Sequence, residues 1–375
     1  MNYYDITIIG GGLAGLTAAL QLSKLKYRVL LIEKHSYPNH KVCGEYVSNE
    51  IIPYLNSLGV NPVNLGAVSI NTVQLSTIRG KSTTVSLPLG GIGISRYAFD
   101  KLLFDHAVKA GVNFVFDTVT EVSYKNDGFT IVTANKKRFT TKITIGAYGK
   151  RANLDVKTER AFIKKKSYWM GVKAHYKFDD FPDNLVALHN FKGGYAGLSK
   201  TETGAVNFCY LNTYKSFRKC SDIEHFNKYV VSENPYLKDF LERAIPLFEK
   251  PITIAQISFC KKKTVENHMI MCGDTAGLIH PLCGNGMAMA IHSAKIASEL
   301  IHDYFTAKIK NRETLEAAYT RNWNRAFKQR IWTGQQLQSI LLSPTLSDYA
   351  MTLAGKIPFL LKNTIAYTHG KPVLC

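Results

Sequence analysis

The sequence predicts an α/β protein that combines a parallel-sheet domain, an antiparallel-sheet domain and C-terminal helices. Two glycine-rich strand-to-helix junctions, at residues 4–34 and 269–292, predict the parallel sheet. Residues 68–90 and 167–215 show the strand-like alternation that favours the antiparallel sheet. Residues 306–375 carry apolar side chains three and four positions apart, which predicts helices.

The composition is that of a folded protein with an apolar core. Of 375 residues, 46% are hydrophobic and 11% aromatic, more than a disordered chain contains. No run reaches the roughly 18–20 apolar residues that cross a bilayer, and the N-terminus lacks the features of a signal peptide. Seven scattered cysteines without a CxxC pair support neither a zinc site nor a disulfide framework. We therefore expect a cytoplasmic protein without a metal site.

The net charge of +19 predicts attraction to an anionic partner. The lysines are spread over several short clusters, and no recognised nucleic-acid motif accompanies them. We therefore expect no nucleic-acid partner. An anionic substrate or peripheral contact with a membrane is favoured instead.

The first junction, YDITIIGGGLAGLTAALQLSKLKYRVLLIEK, has the pattern of a complete βαβ unit. Gly10 permits a tight turn, Gly12 lets a pyrophosphate approach the backbone, and Gly15 allows close packing of helix on strand. Glu33 ends the second strand, 18 residues after Gly15, where it can accept hydrogen bonds from a ribose. A Rossmann-like domain that binds a dinucleotide follows from these elements together.

The neighbours of these residues complete the expected cofactor contacts. Leu13 and Ala14 lie in the first helical turn, whose free N–H groups and positive dipole end attract phosphate. Lys34 directly follows Glu33. The acid leaves FAD and NAD both open, but an N-terminal nucleotide fold followed by more than 300 residues is typical of FAD enzymes. We therefore expect FAD.

The second junction, MCGDTAGLIHPLCGNGMAMAIHSA, runs from a short strand through Gly273 and Asp274 into a loop with Pro281 and then a small-residue helix. Its pattern, G-D-x-A-G-x-x-x-P-x-x-G-x-G, resembles the second flavin motif of the para-hydroxybenzoate-hydroxylase-fold flavoproteins. The resemblance implies that Asp274 binds the ribityl chain of FAD. The residues that it implies beside the isoalloxazine are Gly284, Asn285, Gly286 and Met287. A helix N-terminus at this place stabilises the negative charge of reduced flavin.

A third segment, GIGISRYAFDKLLFDHAVKAGVNFVF, resembles the part of that family in which an arginine before a helix contacts FAD. Arg96 takes this place, and we include Val119, just beyond the segment, among the cofactor-binding residues. Together the resemblances cover residues 1–155 and 258–305.

The run HKVCGEYVS, at residues 40–48, follows the second strand. Lys41, Cys43 and the next glycine match the Lys-x-Cys-Gly run of the geranylgeranyl-reductase-like group. The resemblance implies that Lys41 and Cys43 lie on the flavin side of this loop. Gly277 also favours that group, because the aromatic hydroxylases typically have histidine there.

Three departures from the family pattern limit what the resemblance implies. Tyr148 stands where the family carries an aspartate associated with nicotinamide handling, so either NAD(P)H or a separate reductase can be the electron donor. The Tyr-x-Trp-x-Phe-Pro motif of the prenyl reductases is missing, and the nearest segment, 193–200, keeps only Tyr195, so the sequence does not support a prenyl-chain substrate. The Trp-x-Trp-x-Ile-Pro motif of the halogenases is missing too, so we do not expect halogenation.

These motifs divide the chain into three parts. The ranges of the discontinuous FAD-binding domain are 1–70, 91–155 and 258–305. The antiparallel sheet that binds a small-molecule substrate takes residues 71–90 and 156–257. A helical region takes 306–375, whose apolar segment IPFLLKNTIAYTHGKP favours packing on the core over membrane contact.

The expected activity is that of an FAD-dependent oxidoreductase that reduces a C=C bond of a largely apolar substrate by hydride transfer. A monooxygenase that acts through a flavin C4a-hydroperoxide is the first alternative, and a flavin electron carrier or redox sensor is the second. The candidate catalytic residues are Cys43, Glu45, Tyr195 and His280. His189, from the same predicted substrate sheet as Tyr195, is also expected near the flavin. Cys43 is equally well explained as a small buried side chain, and Glu45 as a helix cap near Ser48.

Overall fold

The computed structural model describes residues 2–280, 283–356 and 358–374. Its strands form two sheets, in agreement with the sequence prediction. The strands in chain order are β1 (Asn2–Ile9), β2 (Val29–Glu33), β3 (Tyr46–Ser48), β4 (Val68–Ser76), β5 (Ser82–Gly93), β6 (Asn113–Phe116), β7 (Val119–Lys125), β8 (Gly128–Thr133), β9 (Arg138–Gly146), β10 (Trp169–Lys177), β11 (Leu185–Phe191), β12 (Gly194–Lys200), β13 (Val206–Thr213), β14 (Ile245–Pro246), β15 (Ile252–Ile257), β16 (Val265–Glu266) and β17 (Met269–Met271).

The helices flank the first sheet, cover one face of the second and form the C-terminal region. In chain order they are α1 (Leu13–Lys24), α2 (Ile52–Ser57), α3 (Arg96–Lys109), α4 (Asn153–Lys157), α5 (Tyr214–Phe217), α6 (Ile223–Tyr229), α7 (Pro235–Arg243), α8 (Gly286–Phe305), α9 (Arg312–Leu342), α10 (Pro344–Lys356) and α11 (Pro358–Thr368).

The first sheet has the order β16-β17-β9-β1-β2-β6, and the β7–β8 hairpin extends it from β9. The pairs of β1 with β2 and β9 are parallel, as are those of β2 with β6 and β9 with β17. Ile6 and Ile8 of β1 are fully buried, as expected of a central parallel strand. Helices α1 and α8 pack side by side. The carboxyl ends of β1, β2 and β17 meet at one edge, where both glycine-rich junctions begin.

The second sheet has the order β14-β10-β13-β12-β11-β4-β5-β3, with β15 paired to β10. All of its pairs are antiparallel except β4 with β11, which is parallel. The predicted domain boundaries at 70 and 91 fall inside β4 and β5, and β3 also joins this sheet. Those two predicted boundaries therefore cut continuous strands, because β4 and β5 form one long hairpin.

The two faces of the second sheet differ in chemistry because side chains alternate along each strand. One face carries the apolar residues of β10, β12 and β13 and packs against α6 and α7. The other face carries Lys173 and His175 on β10, Tyr195 on β12, and Asn207 and Cys209 on β13. We call this second surface the site face, because its polar side chains contact the loop between β2 and β3.

The C-terminal region is helical, as the periodicity predicted, and its helices pack over the second junction. Trp323 of α9 lies against Gly277, where an added Cβ would be 2.7 Å from the indole. Arg330 of α9 pairs with the buried Glu50 at 3.1 Å, and the Thr368 carbonyl at the end of α11 accepts a 3.0 Å hydrogen bond from Asn285. Within the described ranges, no helix combines the length and apolar character needed to cross a membrane.

Candidate active site

The first junction forms a tight turn that is open on one side. Gly10 has φ of +102°, and a Cβ there would be 2.5 Å from the Ala147 carbonyl oxygen, so only glycine fits. A Cβ on Gly15 would overlap the Gly10 carbonyl oxygen. At Gly12, by contrast, an added Cβ would meet only Arg96, at 3.7 Å. Helix α1 begins after Gly12 without a side-chain cap, so its first N–H groups are available to a phosphate.

Glu33 lies at the end of β2, directly beside the glycine turn. Its Oε2 accepts a 2.6 Å hydrogen bond from the Gly11 N–H, and its carbonyl accepts one of 2.9 Å from the Asp117 N–H. The latter contact brings the segment that leads into Val119, a buried residue, next to Glu33. Lys34 is exposed at the rim. The structure therefore brings Glu33, the glycine turn and the segment before Val119 together at the predicted adenosine end of the site.

Arg96 and Lys41 converge on one buried carboxylate near Gly12. The Arg96 guanidinium donates two hydrogen bonds to Asp100, of 2.7 and 2.8 Å, and Lys41 pairs with Asp100 at 2.9 Å. Burial opposes ionisation of Asp100, but Arg96 and Lys41 outweigh it and hold its pKa below the usual range. The buried Arg96 guanidinium is thus fixed at the open side of the turn. A pyrophosphate bound at this turn would place its negative charge next to the guanidinium.

The second junction lies against the first. Gly273 has φ of +60°, and an added Cβ there would be 3.1 Å from the Cβ of Ala14, which shows how closely the Asp274 turn approaches α1. The half-buried Asp274 carboxylate makes no hydrogen bond or ion pair with any described residue. Its backbone carbonyl accepts a 2.7 Å hydrogen bond from Lys262. Arg96 and Lys262 lie close enough to interact with its charge, but its oxygens accept no hydrogen bond from a described residue, which suits the hydroxyl groups of a ribityl chain.

Helix α8 begins at Gly286, and its N-cap residue Asn285 forms no side-chain cap. The Asn285 amide instead donates to the Thr368 carbonyl. Gly284 has φ of +61°, and Met287 is buried in the first turn. The first N–H groups of α8 are therefore available to an electronegative group. Pro281, which belongs to the predicted set, lies outside the described residues.

Cys43 and its neighbours are held against the site face by their backbone. The Cys43 carbonyl accepts a 3.2 Å hydrogen bond from Asn207, and the Gly44 carbonyl accepts one of 3.2 Å from Ser199. Glu45 has φ of +56°, a left-handed conformation that is uncommon outside glycine. This conformation turns the Glu45 side chain inward, where it is fully buried.

Glu45 is the centre of a buried polar cluster. Nε2 of His175 donates to its Oε2 at 2.7 Å, the Arg96 backbone N–H donates to its Oε1 at 2.7 Å, and the Lys173 ammonium binds Oε1. Burial opposes ionisation of Glu45, but the hydrogen bond from His175 and the charge of Lys173 outweigh it, so its pKa is lowered. The ligand atoms of His40, Glu45 and His175 lie within 4.8 Å of one another, close enough to hold a metal ion. Because Lys173 neutralises Glu45, the cluster fits an ion-pair network better than a cation site.

A packed aromatic cluster forms where the site face meets the second junction. The His280 ring lies 4.7 Å from Phe259, 5.6 Å from Tyr195 and 6.1 Å from Trp169, between ring centroids. Burial lowers the pKa of His280 to about 3, so the ring is neutral at physiological pH. Burial, with Cys209 and Cys283 adding to it, raises the pKa of Tyr195 well above its usual value. The buried Tyr195 hydroxyl has no hydrogen-bond partner in the part of the chain that the structure describes.

Two further residues that the sequence brought into consideration lie elsewhere. His189, expected near the flavin with Tyr195, is on the opposite face of the second sheet. There its Nδ1 bonds the Ser76 hydroxyl at 2.7 Å and its ring stacks on Tyr236. Tyr148 follows β9 beside Gly10, with its hydroxyl 3.8 Å from the Met271 sulfur. It therefore presents no carboxylate to this edge of the site.

The sequence prediction missed Lys173 and His175, the partners of Glu45, and also Asp100, the partner of Arg96. A signal for the first two was present, because WMGVKAHYK places polar residues at alternate positions of an otherwise apolar strand. No pattern within α3 distinguishes Asp100 from an ordinary i, i+4 partner of Arg96.

Taken together, these residues fit FAD. Two uncapped helix N-termini, the open side of Gly12, the buried Arg96 guanidinium and the free Asp274 carboxylate match its phosphates, its ribityl chain and its flavin oxygen. The fold and the site define an FAD-dependent oxidoreductase with the para-hydroxybenzoate-hydroxylase architecture.

Comparison with known proteins agrees. A family model described as FAD binding domain matches residues 3–310, and the chain belongs to that family. The chain is 28% identical over 372 residues to digeranylgeranylglycerophospholipid reductase of Methanococcus vannielii, covering 95% of this chain and 90% of that protein. It is 26% identical over 358 residues to the reductase of the same name from Methanocaldococcus jannaschii, covering 91% and 87%. The predicted likeness to the geranylgeranyl-reductase-like group is confirmed.

Solved structures show the same fold at low sequence identity. The flavin-dependent brominase Bmp2 superposes with a TM-score of 0.79 at 18% identity, covering 97% of this chain and 93% of that chain. The halogenase PltM in complex with phloroglucinol and FAD gives 0.76 at 14% identity, covering 97% and 84%.

Proposed function

We propose that this enzyme reduces a C=C bond of a largely apolar substrate, and that the substrate is an isoprenoid lipid. The observation that carries the proposal is the cluster of Trp169, Phe259 and His280 around the single hydroxyl of Tyr195, which we propose as one wall of the substrate pocket. Such a surface suits a hydrocarbon chain, because it offers few hydrogen-bonding groups to a substrate with a polar ring. The names of the digeranylgeranylglycerophospholipid reductases support an isoprenoid chain as the hydrocarbon.

The missing Tyr-x-Trp-x-Phe-Pro motif is not decisive against a prenyl chain. Trp169 enters the cluster from β10 and Phe259 from the segment after β15, while Tyr195 comes from β12. The apolar side chains of Leu211, Ile257 and Leu278 pack against Tyr195 in the same cluster. An aromatic wall is therefore assembled from separate strands, without one contiguous motif.

Reduced FAD, when bound, would supply the hydride for one carbon of the double bond, and an electron donor would reduce the flavin again. The other carbon needs a proton, and the Tyr195 hydroxyl is the candidate donor because it is buried, protonated and unpartnered among the described residues. Its phenolate regains a proton from solvent, so one hydride and one proton are consumed for each bond reduced.

The other candidate residues take supporting roles in this proposal. His280 is neutral and packs in the aromatic cluster, and Cys43 lines the loop on the flavin side. Glu45 is ionised and fully engaged, so it positions the Cys43 loop and does not donate a proton. The predicted cofactor-binding set holds FAD through the contacts described above. The electron donor is either NAD(P)H or a separate reductase protein, and Tyr148 favours neither.

Product analysis tests the proposal. The purified FAD-loaded enzyme is reduced with dithionite without oxygen and mixed with a geranylgeranylated glycerophospholipid. We expect products that have gained two hydrogens per reduced bond, measured by mass spectrometry. Products that gain an oxygen atom, formed only in air, would establish a monooxygenase. Flavin that passes electrons to an acceptor protein and leaves the lipid unchanged would establish an electron carrier.

A further inference from the structure

Helix α10 turns an apolar stripe toward solvent. Leu346, Tyr349 and Leu353 are three and four positions apart, and they are 55%, 75% and 43% exposed. Phe359, in the first turn of α11, is 67% exposed. Adjacent apolar side chains on one exposed helix face indicate a contact surface, whereas scattered ones do not.

Cations border this stripe. The Lys81 ammonium, at the turn between β4 and β5, donates to the hydroxyl of Thr352. Thr352 lies one helical turn after Tyr349 and next to Leu353, so the ammonium is held beside the stripe. Arg79 is exposed in the same turn. The stripe therefore has positive charge at its edge, on a chain with a net charge of +19.

We propose that α10 and the start of α11 bind an anionic membrane surface. The apolar side chains would enter the boundary between headgroups and acyl chains, and Arg79 and Lys81 would contact lipid phosphates. With 13 and 11 residues, these helices lie in the interface and do not cross it. A second copy of the chain is a poorer occupant, because a two-fold contact on this stripe brings the same cations together.

The docking surface is directly connected to the active site. Leu361 and Ile365 of α11 pack on an apolar cluster that includes Tyr46, and the Tyr46 ring contacts Gly284 of the second junction. At the end of α11, the Thr368 carbonyl binds Asn285. Apolar contacts therefore link α11 to the loop that precedes α8. The proposal that this surface binds a membrane does not depend on the proposed function.

Co-sedimentation with vesicles tests the docking surface. The FAD-loaded enzyme is mixed with vesicles of equal parts phosphatidylglycerol and phosphatidylcholine, or of phosphatidylcholine alone. We expect binding to the anionic vesicles that the triple variant Leu346→Ser, Tyr349→Gln, Leu353→Ser lowers on the order of tenfold. The double variant Arg79→Gln, Lys81→Gln should weaken binding to the anionic vesicles only.

A matched control substitutes three exposed apolar residues elsewhere, Tyr168→Gln, Tyr229→Gln and Leu247→Ser, and should bind as the unaltered enzyme does. The flavin absorbance of each variant verifies its fold. Equal binding of the triple variant, or no binding of the unaltered enzyme, would overturn the proposal. So would a dimer that the triple variant converts to a monomer with vesicle binding unchanged, since that identifies a contact between copies. Because this assay needs no turnover, membrane binding without lipid reduction would count against the proposed function alone.

Discussion

Glu45 and His175, 130 residues apart in the chain, share a hydrogen bond of 2.7 Å that joins the loop after β2 to the second sheet. The same carboxylate accepts a hydrogen bond from the Arg96 backbone at the start of α3. One side chain thereby fixes the Cys43 loop, the start of α3 at Arg96 and the second sheet in one geometry. We conclude that Glu45 is a positioning residue of the site.

Replacing Glu45 should destabilise the protein through Lys173. The variant Glu45→Gln leaves a fully buried ammonium without its counter-charge, which costs about 3–5 kcal/mol in the free energy of unfolding. Urea denaturation of the purified protein measures this loss. The double variant Glu45→Gln, Lys173→Met removes the unpaired charge and should recover most of it. A single variant as stable as the unaltered protein would show that the pair contributes nothing.

Replacing Arg96 should weaken FAD binding. The variant Arg96→Lys keeps the charge but loses the two-pronged contact with Asp100, so the ammonium is no longer held at Gly12. We expect the Kd for FAD to rise by about ten- to hundredfold, as a lost charge-assisted contact implies. Titration of the apoprotein by flavin fluorescence measures it. Lys101→Gln, which removes an exposed ion pair on the same helix, is the control and should bind FAD normally. An unchanged Kd for Arg96→Lys would show that this arginine does not contribute to FAD binding.

Buried neutral histidines should make the protein acid-sensitive. Burial lowers the pKa of His189 from 6.5 to about 4. Between these values the unfolded chain binds a proton that the folded protein does not, so stability falls as the pH falls. His189→Gln should reduce the dependence of the unfolding free energy on pH by at most about 1.4 kcal/mol per pH unit in that window. Urea denaturation at a series of pH values measures the slope, and an unchanged slope would contradict the assignment.

The pair of Arg330 and Glu50 should hold the C-terminal helices in place. Glu50 is fully buried, and its carboxylate also accepts the Gly370 N–H. Arg330→Met leaves that carboxylate without a cation, which costs about 3–5 kcal/mol. We expect Arg330→Met to speed amide hydrogen exchange in α11 relative to the unaltered protein, while exchange in α1 stays the same. Mass spectrometry measures both. Arg325→Met, an exposed position on the same helix, should leave exchange unchanged. Equal protection of the α11 amides from exchange in Arg330→Met and Arg325→Met would show that other contacts hold the C-terminal helices.

The cofactor half of the site was predictable, because glycines that have no room for a Cβ leave a fixed spacing in the sequence. Gly10 and Gly15 are such positions, and Asp274 follows from the second junction in the same way. The substrate half was predictable only in part: the sequence analysis named Tyr195 and His280, but their contact with Trp169 depends on three distant segments packing together. His189 shows the same limit, because a shift of one residue along a strand changes the face of the sheet. The pairing of Glu45 with β10 needed the structure for the same reason.

A single turnover without oxygen tests whether the reduced flavin hydrogenates the lipid. The reduced enzyme is mixed with a geranylgeranylated glycerophospholipid, and flavin absorbance and product are followed together. We expect the flavin to reoxidise in proportion to the double bonds reduced. We also expect Tyr195→Phe to slow this step by about a hundredfold or more while FAD stays bound. Flavin that stays reduced in the presence of the lipid, or reoxidises without a hydrogenated product, would contradict the proposed hydrogenation.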